Sequence, residues 1–317
     1  MKTILITGGA GFIGSHLIDR LIDKNNIICV DSFDPYYSVK IKKLNIEKNL
    51  HNKNFMFYEE DILSRTKLGN IFKKHKIDVI IHLAAKVGVR PSLQYPLLYE
   101  RTNVEGTINL LDEARINKVN KFILASSSSV YGNSNTTPFI ESMNVAPISP
   151  YASSKVAAEN FCNCYAHLYK IQVCCLRLFT VYGPRQRPDL AIHTFTRCIN
   201  DNNPISFYGD GSSMRDYTYV DDITAGITNA INYDKTLFEI INLGESRAIS
   251  LKYLLSLLEK ECNKRAIIQN FPIQKGDVFV TCANIKKAKR LLNYVPTTSI
   301  ETGIQKFVAW YLHSLRH

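Results

Sequence analysis

No stretch of this chain carries the run of about 18 apolar residues that a membrane-crossing helix needs, so no transmembrane span is expected. The apolar N-terminal run, Met1 to Thr7, is too short for a secretory signal, and glycines follow at once. Internal repeats and low-complexity tracts are absent, which excludes a repeat architecture. The eight cysteines lack zinc or disulfide spacing. Cys162 and Cys164 fall on opposite sides of an expected helix, and Cys174 and Cys175 sit together in an apolar strand. Reduced thiols in a cytoplasmic protein, with no metal site, are expected. Acidic residues are scarce, 28 against 39 Lys and Arg, for a net charge of +11. The basic residues are scattered, from Lys40, Lys42 and Lys43 to Lys289 and Arg290. No basic stripe is interleaved with aromatics, so nucleic acid is not an expected partner. A solvated basic face that draws in an anionic substrate is expected instead.

What remains is an ordinary globular composition, 45% hydrophobic and 21% charged over 317 residues. That length suits one large domain or two closely joined ones. Residues 2–7 read as an apolar strand. The turn Thr7-Gly-Gly-Ala-Gly-Phe-Ile-Gly14 follows, then a helix to about Lys24, and the strand Ile27–Val30 ending at Asp31. This order is the dinucleotide-binding arrangement. Gly8 permits the tight turn, and Gly11 lets the backbone approach a pyrophosphate seated on the helix N-terminus. Gly14 allows close helix packing. Asp31 can accept hydrogen bonds from adenosine ribose hydroxyls and would repel a 2′-phosphate, which favours NAD over NADP.

Further strands are expected at 55–58, 77–83, 121–125 and 172–179. Exposed helix is expected within 35–50, and helices from Ser64 to about His75 and from Tyr95 to Val119. The fold class is therefore α/β, a doubly wound parallel sheet. Its domain is expected over 1–180, with a return near 216–242 through strands at 217–220 and 238–242. A smaller substrate domain is expected mainly over 181–317, with helices near 250–260, 284–292 and 299–315 and a strand near 266–271.

Ser149 and Pro150 suit an N-cap and a first helical position, so a helix starts at Tyr151-Ala-Ser-Ser-Lys155. Tyr151 and Lys155 then share one helical face. A phenol with a pKa near about 10 is a poor base at neutral pH, and a neighbouring cation favours its phenolate. Such a pair also occurs on any solvated helix. The strand at 121–125 runs into Ser126 to Ser129 and Val130-Tyr-Gly132, and its end is expected beside the Tyr151 helix. His16, His82 and His193 show no partner pattern for a ligand or base, and structural roles are expected.

These stretches resemble the extended short-chain dehydrogenase/reductase family, and within it the nucleotide-sugar 4-epimerases. The resemblance rests on Thr7–Gly14, Asp31, Asp61-Ile62, Leu83–Lys86, Asn103, Ser126–Gly132, Tyr151–Lys155, Phe179–Pro184, Gly209–Gly211, Arg215–Tyr219 and Gly276–Val278. It spans nearly the whole chain in family order. It implies a tightly held NAD, contacted by Gly8, Gly11, Phe12, Ile13, Gly14, Asp31, Asp61, Ile62, Leu83, Ala84, Ala85, Lys86 and Asn103. Tyr151 would be the base, with Lys155 on the nicotinamide ribose and Ser127 near the sugar O4. The resemblance further implies a UDP-sugar substrate and a homodimer. Arg215 would hold pyrophosphate, Arg185 pyrophosphate or a sugar acid, and Asp277 the uridine ribose. Phe207 would pack on uracil. Surface ion pairs or core packing are the alternatives for these four.

The residues before Val130 separate related reactions. Dehydratases resembling this chain carry Asp-Glu there, and glucuronate decarboxylases a Glu; here stand Ser128 and Ser129. Without a carboxylate, dehydration lacks its acid and base. Hydroxyls of Ser128, Ser129 and Thr180 suit a sugar carboxylate that must rotate during turnover. Close packing against the cofactor is the alternative for the two serines. The stretches 179–189 and Gly88-Val-Arg90-Pro-Ser92, and Gln274 three residues before Asp277, resemble UDP-glucuronate 4-epimerases. Specificity for UDP-glucose or UDP-N-acetylglucosamine stays open, and so, more distantly, does a non-catalytic NAD(P)-sensing role.

Overall fold

A computed structural model describes residues 1–134, 136–272 and 278–315. Its first half alternates strand and helix: β1 (Thr3–Thr7), α1 (Phe12–Leu21), β2 (Asn26–Asp31), α2 (Val39–Glu47), β3 (Phe55–Glu59), α3 (Arg65–Lys74), β4 (Val79–His82), α4 (Val89–Gln94), α5 (Pro96–Glu100), α6 (Gly106–Ile116), β5 (Lys121–Ser127), α7 (Pro150–Tyr169) and β6 (Gln172–Leu178). The remainder comprises β7 (Thr180–Tyr182), α8 (Ala191–Asn200), β8 (Pro204–Tyr208), β9 (Met214–Tyr219), α9 (Val220–Ala230), β10 (Phe238–Leu243), β11 (Ala248–Ser250), α10 (Leu251–Cys262), β12 (Ile267–Phe271), α11 (Lys286–Leu292) and α12 (Ile300–Ser314). No helix among the described residues is long and apolar enough to cross a membrane.

Seven strands form one parallel sheet in the order β10-β6-β5-β4-β1-β2-β3. Strand alternation splits its apolar residues between two cores. Ile4, Ile6, Cys29, Ile81 and Ile123 face one layer, and Leu5, Ile28, Ile80, Phe122 and Leu124 face the other. Both faces are covered, which is why these strands read as unbroken apolar runs. The order reverses at β1, between β2 and β4, and that places a ligand crevice at the carboxyl ends of these strands. A three-stranded sheet, β11-β9-β7, and a two-stranded one, β12-β8, stand beside it.

The helix expected over 95–119 is present from Pro96 to Ile116, with one π-helical turn, Arg101–Glu105, between α5 and α6. The structure corrects two expectations. Of the return segment, β10 does join the main sheet, pairing with β6, but the strand around Tyr217 pairs with β7 and β11 instead. The helix expected to be exposed, α2, buries Lys42, Asn45 and Ile46. Asn45 Nδ2 donates to Ala10 O at 3.0 Å and Lys42 Nζ to Asp34 O at 2.7 Å, so α2 fastens the glycine turn and the loop after β2.

Candidate active site

The glycine turn sits at the crevice. Gly8 lies in the left-handed region at φ +69°, and a Cβ there would meet Ala84 N at 2.7 Å. A Cβ on Gly14 would stand 2.3 Å from Gly8 O. Gly11 is the N-cap of α1, which has no side-chain cap and no acidic residue in its first turn. Its first N–H groups, from Phe12, Ile13 and Gly14, are thus left for an anion. Asp31 is buried at the end of β2; its oxygens accept from Ala10 N at 3.1 Å and Phe33 N at 2.9 Å. Burial pushes this carboxyl up, while the charge of Lys42 and the two backbone bonds oppose that. Its spare lone pairs suit ribose hydroxyls. The cradle therefore fits a dinucleotide. Gly14→Ala is expected to abolish NAD binding and cost about 1–3 kcal/mol of stability through overpacking. Calorimetric titration with NAD and thermal melts of the variant check this.

The loop after β4 carries Leu83, Ala84, Ala85 and Lys86, all half-buried. Asn103, in the π-helical turn, accepts from Lys86 N at 2.7 Å and donates to Lys86 O at 3.0 Å and to Ser154 Oγ at 2.9 Å. Ser154 in turn donates to Tyr151 O at 2.8 Å. Asn103 therefore ties this loop to α7, and Lys86 Nζ pairs with Asp34 at 2.5 Å. Asp61 is exposed and its Oδ1 accepts from Leu63 N at 2.8 Å, whereas the Ile62 side chain is buried under Gly106. His82 accepts at Nδ1 from Thr7 Oγ1 and donates from Nε2 to Thr107 Oγ1, because Thr107 spends its own proton on Asn103 O. Burial, reinforced by Lys155, lowers His82 to about 3, which keeps it neutral. His16 accepts no catalytic contact and bonds Pro184 O at 2.8 Å, and His193 packs among Phe307, Trp310 and Tyr311.

Ser149 Oγ caps α7 through Ala152 N at 3.2 Å, with Pro150 in the first turn, as its sequence predicts. Tyr151 then faces the end of β5. Ser127 hydrogen-bonds its phenol. Ser127 Oγ itself accepts from Ser129 Oγ at 2.9 Å and Ser129 N at 3.2 Å. Burial pushes the Tyr151 phenol up, opposed by the Ser127 bond and by the positive charge of Arg187. Lys155 is 5% exposed and donates to Ala125 O at 2.8 Å. Burial lowers it to about 8, against the opposing pull of Glu159. Tyr99 meets the Tyr151 ring edge-on at 6.2 Å and donates to Val87 O at 2.6 Å. Ser128 and Ser129 lie half-buried in a 3₁₀ turn, and Thr180 opens β7.

Arg185 and Phe207, expected on the pyrophosphate or sugar acid and on uracil, lie away from Tyr151. Arg185, at φ +62°, turns back to α1, where it pairs with Asp19 at 2.7 Å. The guanidinium near Tyr151 is Arg187, forked onto Asp189 at 2.9 and 2.8 Å and standing over the Tyr36 ring at 5.7 Å. Phe207 is buried, 4% exposed, against Gly211, and lines a cleft with Lys252 and Leu255. Its neighbour Tyr208, on the other face of β8, lies under the Arg90 guanidinium at 5.1 Å. Sequence reading missed Arg187 and Tyr208. Strand alternation after Pro204 is the one signal for Tyr208. Arg215 Nη1 donates to Met214 O at 3.0 Å and Phe279 O at 3.3 Å. Asp277 and Gln274 lie outside the described residues.

A glycine cradle at a switch point, with a Tyr/Lys helix beside a serine-ended strand, defines a dinucleotide-dependent enzyme of the short-chain dehydrogenase/reductase class. The family model described as GDP-mannose 4,6 dehydratase matches residues 5–307, and the chain belongs to this NAD-dependent epimerase/dehydratase family. It is 41% identical over 314 residues to UDP-glucuronate 4-epimerase of Thermodesulfobacterium geofontis, covering 98% of this chain and 96% of that one. The UDP-glucuronic acid 4-epimerase of Bacillus cereus, solved with UDP-glucuronic acid and NAD, superposes with a TM-score of 0.93 at 36% identity, covering 98% and 99%. The Thermotoga maritima UDP-glucose 4-epimerase with UDP-glucose gives 0.90 at 33%, covering 99% of each chain.

Proposed function

We propose that this NAD-dependent nucleotide-sugar 4-epimerase interconverts UDP-glucuronate and UDP-galacturonate. The observation that carries the reading is the run of hydroxyls that begins at Ser127, beside Tyr151. Ser127, Ser128 and Ser129 stand at the end of β5 with Thr180 opening β7, and the positions before Val130 hold no carboxylate. In this reading residues 1–180 mainly hold the cofactor and 181–317 mainly the UDP-sugar.

Gly8, Gly11, Gly14, Asp31 and Lys155 would hold NAD, which supplies a hydride acceptor and donor at its nicotinamide. Tyr151 takes the proton of the sugar 4-hydroxyl as C4 loses hydride. Ser127 bonds O4 and keeps the phenol aligned. The 4-keto sugar turns over, and Tyr151 returns the proton to O4 with C4 reduced from its other face. The short path from C4 demands orientation more than any single group. A 4-keto glucuronate is a β-keto acid that tends to lose CO₂. Ser128, Ser129 and Thr180 would hold its carboxylate away from the decarboxylating geometry while still letting it turn. A fixed guanidinium fork would grip it in one orientation. We further propose a homodimer: α5 and α7 leave Leu97, Leu98, Phe161 and Leu168 exposed, a surface that a second copy would cover.

UDP-glucuronate, UDP-glucose and UDP-N-acetylglucosamine, offered side by side with NAD and resolved by chromatography, test the reading. The uronate is expected to win in kcat/KM by about 100-fold or more. Epimerisation of UDP-glucose with UDP-glucuronate untouched would replace it by the neutral-sugar reading.

A further inference from the structure

A buried polar chain runs directly behind the reacting centre. Glu159 follows Lys155 by one turn on the same face of α7 and is 4% exposed. Arg177 of β6, 2% exposed, forks it: Nε donates to Oε1 at 2.9 Å and Nη2 to Oε2 at 2.7 Å. Ser126 Oγ donates to the same Oε1 at 2.5 Å, and Ser126 pairs with Arg177 across β5 and β6. The Arg177 guanidinium lies over the Tyr131 ring at 4.7 Å, and Tyr131 OH donates to Asn242 Oδ1 of β10 at 2.7 Å. Adhesion of α7 to the sheet does not call for this arrangement, because two apolar side chains of similar volume hold such an interface as well or better.

We propose that Glu159, clamped by Ser126 and Arg177, is a positioning residue that sets both the seat of Tyr151 against Ser127 and the charge of Lys155. The inference rests on the acid/base reading of Tyr151. Geometrically, the clamp joins the residue before Ser127 to the helix turn after Lys155, so it fixes how far α7 slides along β5. Electrostatically, the titratable and charged groups facing Lys155 are few. They are Glu159 and Cys162 on α7, Cys175 on β6 and His82 on β4, with Arg177 held on the far side of Glu159. His82 is neutral, and burial pushes the Cys175 thiol far up, so it too is uncharged. Glu159 is the one carboxylate in the set. The ammonium form of Lys155 is full well below about 8 and is lost as pH rises through that value. Removing the negative charge of Glu159 lowers that boundary.

The test compares pH profiles of kcat at saturating NAD and UDP-glucuronate, with the Lys155 Nζ titration followed by NMR in the same proteins. Glu159→Gln keeps the shape of the side chain and can still accept from Ser126. Its alkaline limb and its Lys155 titration are expected to move down by about one pH unit or more. The double variant Glu159→Gln/Arg177→Met removes both charges and guards against a variant that unfolds. It is expected to melt near the parent temperature yet turn over about tenfold more slowly at pH 7.5. A uniform fall in kcat with neither limb nor titration moved would overturn the proposal, leaving Glu159 a structural residue. So would a folded double variant with parental kcat. Full activity in Tyr151→Phe would instead remove the acid/base reading beneath it, which separates the two failures.

Discussion

Tyr151→Phe is expected to lower kcat by about 10³- to 10⁴-fold while leaving NAD and UDP affinity within about threefold. The substitution deletes one oxygen. The ring keeps its edge-on contact with Tyr99, and the Ser149 cap that starts α7 is untouched. What disappears is the atom that, in the proposed mechanism, takes and returns the O4 proton, together with the oxygen that faces Ser127. Among the described residues, the phenol is also the group that the geometry leaves for that proton. Lys155 is committed to Ala125 O, and His82 is neutral, buried and bonded at both nitrogens. Epimerisation is read by chromatography of the UDP-sugars, and binding by titration calorimetry. A variant that keeps a tenth of the activity would rule out Tyr151 as the base. A non-catalytic NAD(P)-sensing protein would show no parental turnover to lose.

The sheet and its glycine turn were legible because their physics is local. β1, β2, β4 and β5 are short apolar runs covered on both faces, and Gly8 and Gly14 stand where a Cβ would strike backbone within 2.7 and 2.3 Å. The start of α7 was equally local, a Ser-Pro pair that caps its own helix. The widened turn within the helix over 95–119 was not legible, since apolar periodicity runs through it. The π-helical turn places Asn103 where it bonds Lys86 and Ser154, partners 17 and 51 residues away. The placement of the two arginines was hidden for a related reason. Arg185 and Arg187 sit two apart in one loop, and the left-handed backbone at Arg185 sends the first to Asp19 and leaves the second near Tyr151. Phe207 and Tyr208 differ only in strand parity, and parity acquires meaning once it is known which face of β8 meets α10. Long-range pairing, not composition, decided each of these.

Replacing Ser128 and Ser129 together by Ala is expected to reduce kcat/KM for UDP-glucuronate by about 100- to 1,000-fold, and for UDP-glucose by no more than about threefold. A hydrogen bond to a charged group contributes about 1.5–3 kcal/mol, and a buried carboxylate that loses two donors carries most of that penalty into the bound state. A neutral 6-hydroxyl in the same place loses far less. The double variant should also release CO₂. With the carboxylate held only by Thr180, the 4-keto intermediate can bring its C–C bond into line with the carbonyl and decarboxylate, leaving a UDP-4-keto-pentose. Ser127 loses the one donor at Ser129 Oγ that now holds it, but it keeps the backbone N–H of residue 129 at 3.2 Å and its place beside Tyr151, so the redox step itself is expected to persist. Chromatography of the products and a CO₂ assay read both effects. Equal losses on the two substrates, with no CO₂, would assign the serines to cofactor packing and return specificity to Thr180 and Arg187.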